Sequence, residues 1–182
     1  MKIFETNRLY GREFCESDFV HLTEILSDPE VMRYSVRGVC DEDATRKFIQ
    51  SSFECYSSQE IGMWAIIEKS SGELIGFCGV GPEVIDEVEQ INLGYRLAKK
   101  FWNLGLATEA VKGVLDYAFG QKSLATVVAV IEPENMASLR VVEKAGFSDF
   151  TNSVFHDRSV RLYTMTIQGW QVLRQNIQQT SL

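Results

Sequence analysis

With 182 residues, the chain is long enough to build one sizeable core and short for two, and with 45% hydrophobic residues and only three prolines it is neither disordered nor fibrous. Its formal charge of −7 disfavours nucleic acid as a partner and favours a cationic one, though an acidic balance equally serves plain solubility. The four cysteines form no C-x-x-C pair, the first residues meet charge before any apolar signal core, and no apolar run approaches a membrane span, so a cytoplasmic chain with no membrane partner is expected.

Leu9 to Phe14 reads as a first strand, and Glu16-Ser17-Asp18 as the start of a helix with Phe19, Leu22, Ile25 and Leu26 on one face. After the break at Asp28-Pro29, a second helix is expected from about Asp43 to Tyr56, started by Asp41-Glu42-Asp43. The period then drops to two. Met63 to Glu68, Leu74 to Val80 and Val88 to Leu97 read as an antiparallel meander, turning at Ser70-Ser71-Gly72 and at Gly81-Pro82. From Gly105 to Phe119 an apolar stripe of period 3.6 marks a sheet-packing helix. A β-branched strand from Thr126 to Ile131 follows, then a helix from Asn135 to Ala145 with Gly146 as its left-handed cap. Strands around Phe147 to Phe155 and Arg161 to Ile167 form a last hairpin, turning at His156-Asp157. The tail from Gly169, with Trp170, Val172, Leu173 and Ile177, fits either a final helix on the core or a partner-binding surface.

The stretch Phe101-Trp102-Asn103-Leu104-Gly105 carries chemistry because a helix follows it. A helix N-terminus has unsatisfied N–H donors and about half a positive charge, so a flexible turn feeding one is an anion site. Gly105 lets the backbone approach a ligand, and Asn103 tolerates a left-handed conformation. The same residues also fit a plain turn ahead of a packed helix. No G-x-x-x-x-G-K-[ST] occurs, which argues against nucleotide hydrolysis, and Gly79-Val80-Gly81 lacks the third glycine and the helix of a dinucleotide turn, so it reads as a hairpin turn. His21 and His156 have no cysteine partner at metal-ligand spacing, no G-x-S-x-G elbow is present, and no metal is expected.

Asn135-Met136-Ala137-Ser138-Leu139 through Ala145-Gly146-Phe147 resembles the asparagine-to-glycine-phenylalanine helix of the GNAT acetyltransferase superfamily. Trp102-Asn103-Leu104-Gly105-Leu106-Ala107-Thr108-Glu109-Ala110 resembles that superfamily's preceding pyrophosphate motif, and the two occur in the right order and separation. Asn7-Arg8-Leu9, Asp28-Pro29-Glu30-Val31-Met32, Leu74-Ile75-Gly76-Phe77 and Leu93-Gly94-Tyr95-Arg96-Leu97 look like the branch holding the ribosomal-protein N-terminal acetyltransferases. The likeness covers nearly the whole chain. It implies one α/β (α+β) domain over 1–182, with a central mixed, largely antiparallel sheet of about six to seven strands flanked by helices.

It also implies acetyl-coenzyme A as cosubstrate, no metal, and direct attack by a primary amine in a ternary complex. The main chain of Tyr95, Arg96 and Leu97 would pair with the pantetheine arm. The segment Trp102, Asn103, Leu104, Gly105, Leu106, Ala107 and Thr108 would cradle the pyrophosphate, Asn103 standing where glycine is more usual. Asn135 would hold the arm or act as a plain N-cap, and Ser138 would donate a proton to the leaving thiolate or serve as a first-turn hydroxyl. Where an acidic residue often stands in such enzymes, this chain has Asn92. Glu89 is the modest replacement base, since strand alternation turns it away from Asn92. The favoured acceptor is a protein N-terminal α-amine of ribosomal-protein type. A small-molecule amine and a non-catalytic coenzyme A sensor are the alternatives, in a monomer or homodimer.

Overall fold

Residues 2–180, which the computed structural model describes, form an open eight-stranded sheet flanked by five helices. In chain order the elements are β1 (Lys2–Glu5), β2 (Leu9–Arg12), α1 (Phe19–Leu26), α2 (Glu42–Gln59), β3 (Gly62–Glu68), β4 (Leu74–Ile85), β5 (Val88–Leu97) and α3 (Leu106–Gly120). There follow β6 (Thr126–Ile131), α4 (Met136–Ala145), β7 (Phe150–Phe155), β8 (Arg158–Thr166) and α5 (Ile167–Thr180). The sheet order is β1-β2-β3-β4-β5-β6-β8-β7, antiparallel throughout except between β5 and β6.

That one parallel pair is the organising feature. Its register meets only at Asn92 and Val128, so the two strands run together briefly and then part. On one face, the stripe Leu106, Ala110, Val111, Val114, Leu115 and Ala118 of α3 packs on Trp64, Ile66, Val80, Leu93 and Val127. Each large aliphatic side chain buried there contributes roughly 1.5–3 kcal/mol. On the other face, Leu22, Ile25 and Leu26 of α1 and Ile49 of α2 cover Ala65, Ile67 and Phe77. Asp41 caps α2, its Oδ1 accepting from the Ala44 amide at 2.8 Å.

The sheet has more strands than the sequence pattern implies, because β1 is too short to show a period. The meander also turns later than expected. Gly79-Val80-Gly81 and Pro82 lie inside β4, and the chain reverses at Asp86 and Glu87, both at positive φ. A proline is tolerated there because β3 ends its pairing at Val80, so the donor that Pro82 lacks has no neighbour to meet. The first strand stops at Arg12, short of Phe14, and the first strand of the last hairpin begins at Phe150. The tail forms α5, whose Trp170 lies over Phe119 and donates through Nε1 to Asp116 at 3.1 Å.

Candidate active site

Beyond Asn92, β5 and β6 line a cavity of about 610 Å³ with Leu93, Gly94, Tyr95 and Arg96 on one side and Ala129, Val130 and Ile131 on the other. Its volume falls within the range of small-ligand sites. Residues Ala44, Lys47, Phe48 and Ser51 of α2 wall it, and Asn135 and Ser138 enter from the start of α4.

The loop before α3 is shaped as the sequence suggests. Asn103 and Gly105 both adopt the left-handed conformation, at φ 60° and 77°. Gly105 is the N-cap of α3 with no side-chain cap, and the amides from Asn103 to Thr108 have no acceptor among the described residues. Trp102, Asn103, Leu104 and Gly105 are exposed, Ala107 and Thr108 half-buried, and Leu106 anchors the turn in the core. The loop is braced from behind, where Arg8 donates through Nη1 to the Leu104 carbonyl at 3.0 Å. A row of free amides at a helix N-terminus, fixed on a rigid support, fits a phosphate-type anion.

The cleft side of β5 is partly committed. The Tyr95 carbonyl accepts from Arg96 Nη1 at 2.7 Å, and the Leu97 carbonyl from Trp102 Nε1 at 2.8 Å. The Tyr95 hydroxyl donates to the Ser138 carbonyl at 3.3 Å, joining β5 to α4 across the opening. Burial raises the Tyr95 phenol well above its ordinary value, against a lowering by the Ser138 hydrogen bond, so it serves as a donor. Asn135 caps α4, its Oδ1 accepting from the Ser138 amide at 3.2 Å, which leaves its NH2 group for another partner. The Ser138 hydroxyl lines the cavity without a partner among the described residues.

Asn92 lines the cavity, and its buried Oδ1 has no hydrogen-bond partner among the described residues. A buried acceptor left unpaired costs about 1–3 kcal/mol, which marks it as a place for a donor from outside. Glu89 stands elsewhere. It is exposed opposite Val84 near the tip of the β4–β5 hairpin, outside the cavity, because alternation turns it from the Asn92 face.

The structure also brings in residues that no sequence pattern singled out. Arg37, Lys47 and Arg158 line the cavity together with Arg96, and Arg158 pairs with Glu132 at 2.6 Å. Period-two alternation could have put the Arg96 side chain on the Asn92 face; the loop and helix cations carry no such signal. Among the described residues, no group of three His, Cys, Asp or Glu is arranged to hold a metal, and no helix is long and apolar enough to cross a membrane.

Residues 8–148 match the family model described as an acetyltransferase (GNAT) domain. The chain is 34% identical to the uncharacterized protein YkkB of Bacillus subtilis over 80% of its own length and 76% of the relative's. It is 32% identical to the uncharacterized N-acetyltransferase p20 of Bacillus licheniformis, over 81% and 83%. A GNAT-family acetyltransferase structure from Bacillus anthracis superposes with a TM-score of 0.79 at 26% identity, covering 92% of this chain and 99% of that one. An aminoglycoside acetyltransferase in complex with coenzyme A shares the fold at 18% identity, TM-score 0.76, over 91% and 99%. So does a ribosomal-protein-S5-alanine acetyltransferase from Vibrio fischeri, at 16% identity, TM-score 0.73, over 93% and 98%.

Proposed function

The chain belongs to the GNAT acetyltransferase family, as an acetyl-coenzyme A-dependent N-acetyltransferase, and from that premise we propose that it acetylates the α-amine of an acceptor entering the cavity from the α2 side. The observation that carries this reading is the parting of β5 and β6 beyond Asn92, beside a loop of unpaired amides. The residues present fit the coenzyme. Amides from Asn103 to Thr108 would bind its pyrophosphate, and the Asn135 NH2 group and the β5 edge would hold its arm.

When bound, acetyl-coenzyme A supplies a thioester carbonyl open to attack by a neutral amine. Asn92 Oδ1 accepts a hydrogen from that amine and aims its lone pair. With the coenzyme bound, the Ser138 hydroxyl would protonate the sulfur as the C–N bond forms and the C–S bond breaks, and the proton shed by the new amide nitrogen would pass to solvent, from which Ser138 would be reprotonated. Asn92 cannot remove a proton, so the acceptor must arrive neutral. At pH 7 an α-amine of pKa about 7.8 is roughly 14% neutral, and a lysine of about 10.4 only about 0.04%. That ratio supports acceptors whose amine titrates near pH 8, such as a protein N-terminus of ribosomal-protein type or a small molecule of similar basicity. Four free cysteines support a reducing, cytosolic setting.

The test is release of free thiol from acetyl-coenzyme A with peptides opening on alanine or serine, free amino compounds, polyamines and lysine side-chain analogues. The α-amines should outpace the ε-amines by two to three powers of ten at pH 7, following their neutral fractions. Coenzyme binding without thiol release for any amine would leave a sensor in place of an enzyme.

A further inference from the structure

The charge of the cavity is opposite to that of the chain. Overall the protein is acidic, at −7, yet the cavity is lined by Arg37, Lys47, Arg96 and Arg158 against Glu83 and Glu132. Glu132 is taken by Arg158, and Arg37, Lys47 and Arg96 have no carboxylate partner among the described residues. An acidic protein that gathers cations unpaired among the described residues in this cavity is arranged to receive negative charge.

Arg96 is the most informative of them. It sits on β5, on the same face as Gly94 and Asn92, by the alternation of a strand. Only one of its N–H groups is accounted for, donating to the Tyr95 carbonyl of its own strand. Arg96 is half-buried in the cavity wall, burial lowers its guanidinium from its ordinary value with Tyr95 acting in the opposite sense, and it has no counter-charge among the described residues. Such a charge is costly unless something pairs with it, and the guanidinium fork fits a carboxylate through two parallel hydrogen bonds. Between the two polar side chains lies Gly94, and the end of Met63 covers it. A Cβ there would meet only the end of Met63, at 3.0 Å from its Cε. The Cα atoms of Asn92 and Arg96 are about 13 Å apart along a strand, so one ligand touching both must bridge what their side chains leave open.

We propose that the acceptor is an amino-acid-type compound, an amine that also bears a carboxylate, with the carboxylate held by Arg96 and the amine presented at Asn92. This rests on the acetyltransferase reading above and narrows it. It also reverses the expectation of a cationic acceptor drawn from net charge, because the charge that matters is local to the cavity.

The experiment compares kcat/KM, expressed per neutral amine because the α-amine of a free acid is more basic than that of a carboxamide or peptide, for free α-amino acids, their carboxamides and a peptide amide opening on alanine, in the wild type, Arg96→Met and Arg96→Lys. Acetyl-coenzyme A affinity is measured for each protein in parallel. The free acids should exceed their carboxamides by roughly 10- to 100-fold in the wild type, the value of one charge-assisted pair. Arg96→Met should erase that preference while retaining acetyl-coenzyme A binding, and Arg96→Lys should retain part of it. The proposal is overturned if carboxamides or the peptide amide serve as well as the acids, or if Arg96→Met keeps the preference. Equal loss of coenzyme affinity in Arg96→Met would assign the arginine to the cosubstrate and overturn it too. Failure of acetyl-coenzyme A to bind the wild type at all is a separate result, and it removes the enzymatic reading first.

Discussion

Arg8 and Glu109 meet across a sequence separation of 101 residues, with Nε and Nη2 of Arg8 each 2.7 Å from Oε2 of Glu109. The other oxygen of Glu109 accepts from the Arg8 amide and from the Thr6 hydroxyl, each at 2.7 Å. Arg8 in turn holds the Leu104 carbonyl, so the turn before β2 fixes both the first turn of α3 and the loop that precedes it. Glu109 also places a negative charge near the positive end of α3, which favours the helix.

Glu109→Ala removes the acceptor for four donor groups at once. It should lower stability by about 2 kcal/mol, because the Thr6 and Arg8 groups lose their partner. Coenzyme A affinity should fall several-fold with it, since the amide row loses its brace. Urea unfolding and calorimetric titration read the two effects separately, and a loss of stability with unchanged affinity would mean that the loop is held by other contacts.

Acid should undo two such anchors. Asp18 is desolvated by burial, which raises its pKa, yet hydrogen bonds from Arg12 and from the Cys15 amide bring it below its ordinary value overall. Burial likewise opposes, and the Arg8 and Thr6 hydrogen bonds outweigh, in Glu109. A carboxylate with a folded pKa below its unfolded one stabilises fully above the unfolded value, about 3.9 for aspartate and 4.3 for glutamate, and loses that contribution as pH falls through the folded one. The melting temperature should therefore hold from neutral pH down to about 5 and then drop steeply. Asp18→Asn should melt lower at neutral pH and show a shallower acid limb, whereas a limb parallel to the wild type would exclude Asp18 as a cause.

Asn92 sets stability against function. Replacing its unpaired Oδ1 with an apolar side chain of similar size removes a buried orphan, so Asn92→Leu should be neutral or up to about 1 kcal/mol more stable. The same change should lower kcat with little effect on coenzyme affinity. A variant that loses stability would mean that the orphan is satisfied in solution.

With Asn92 in place of a base, the pH dependence of kcat/KM should belong to the acceptor. It should rise about tenfold per pH unit and level off near the acceptor's own pKa, about 7.8 for an α-amine. Moving to an acceptor of lower pKa should move the whole curve down with it. A limb that stays at the same pH for different acceptors would reveal a titrating group of the protein.

Much of this was legible in the chain itself. The 3.6-period stripe gave α3, Gly146 closes α4 at φ 108° as its position implied, and the left-handed Asn103 and Gly105 follow from residue type. The hairpin tip was hidden because Gly81-Pro82 imitates a turn, and only the shorter reach of β3 shows why a proline fits there. The cavity was hidden for a different reason. Arg37, Lys47, Arg96 and Arg158 come from a loop, a helix and two strands, and the sign of the charge they build depends on which of them finds a partner. Strand alternation already made Glu89 a modest candidate from the sequence, and its place near the hairpin tip puts it outside the cavity.

The account is tested most directly by calorimetric titration of acetyl-coenzyme A into the wild type and into Gly105→Trp, with folding of both verified by unfolding curves. The wild type should bind in the micromolar range, and the tryptophan, set in the middle of the amide row, should abolish binding while the fold persists. A folded wild type that takes up no acetyl-coenzyme A, or a Gly105→Trp protein that binds it equally well, would contradict the assignment of the loop before α3 as the cosubstrate cradle.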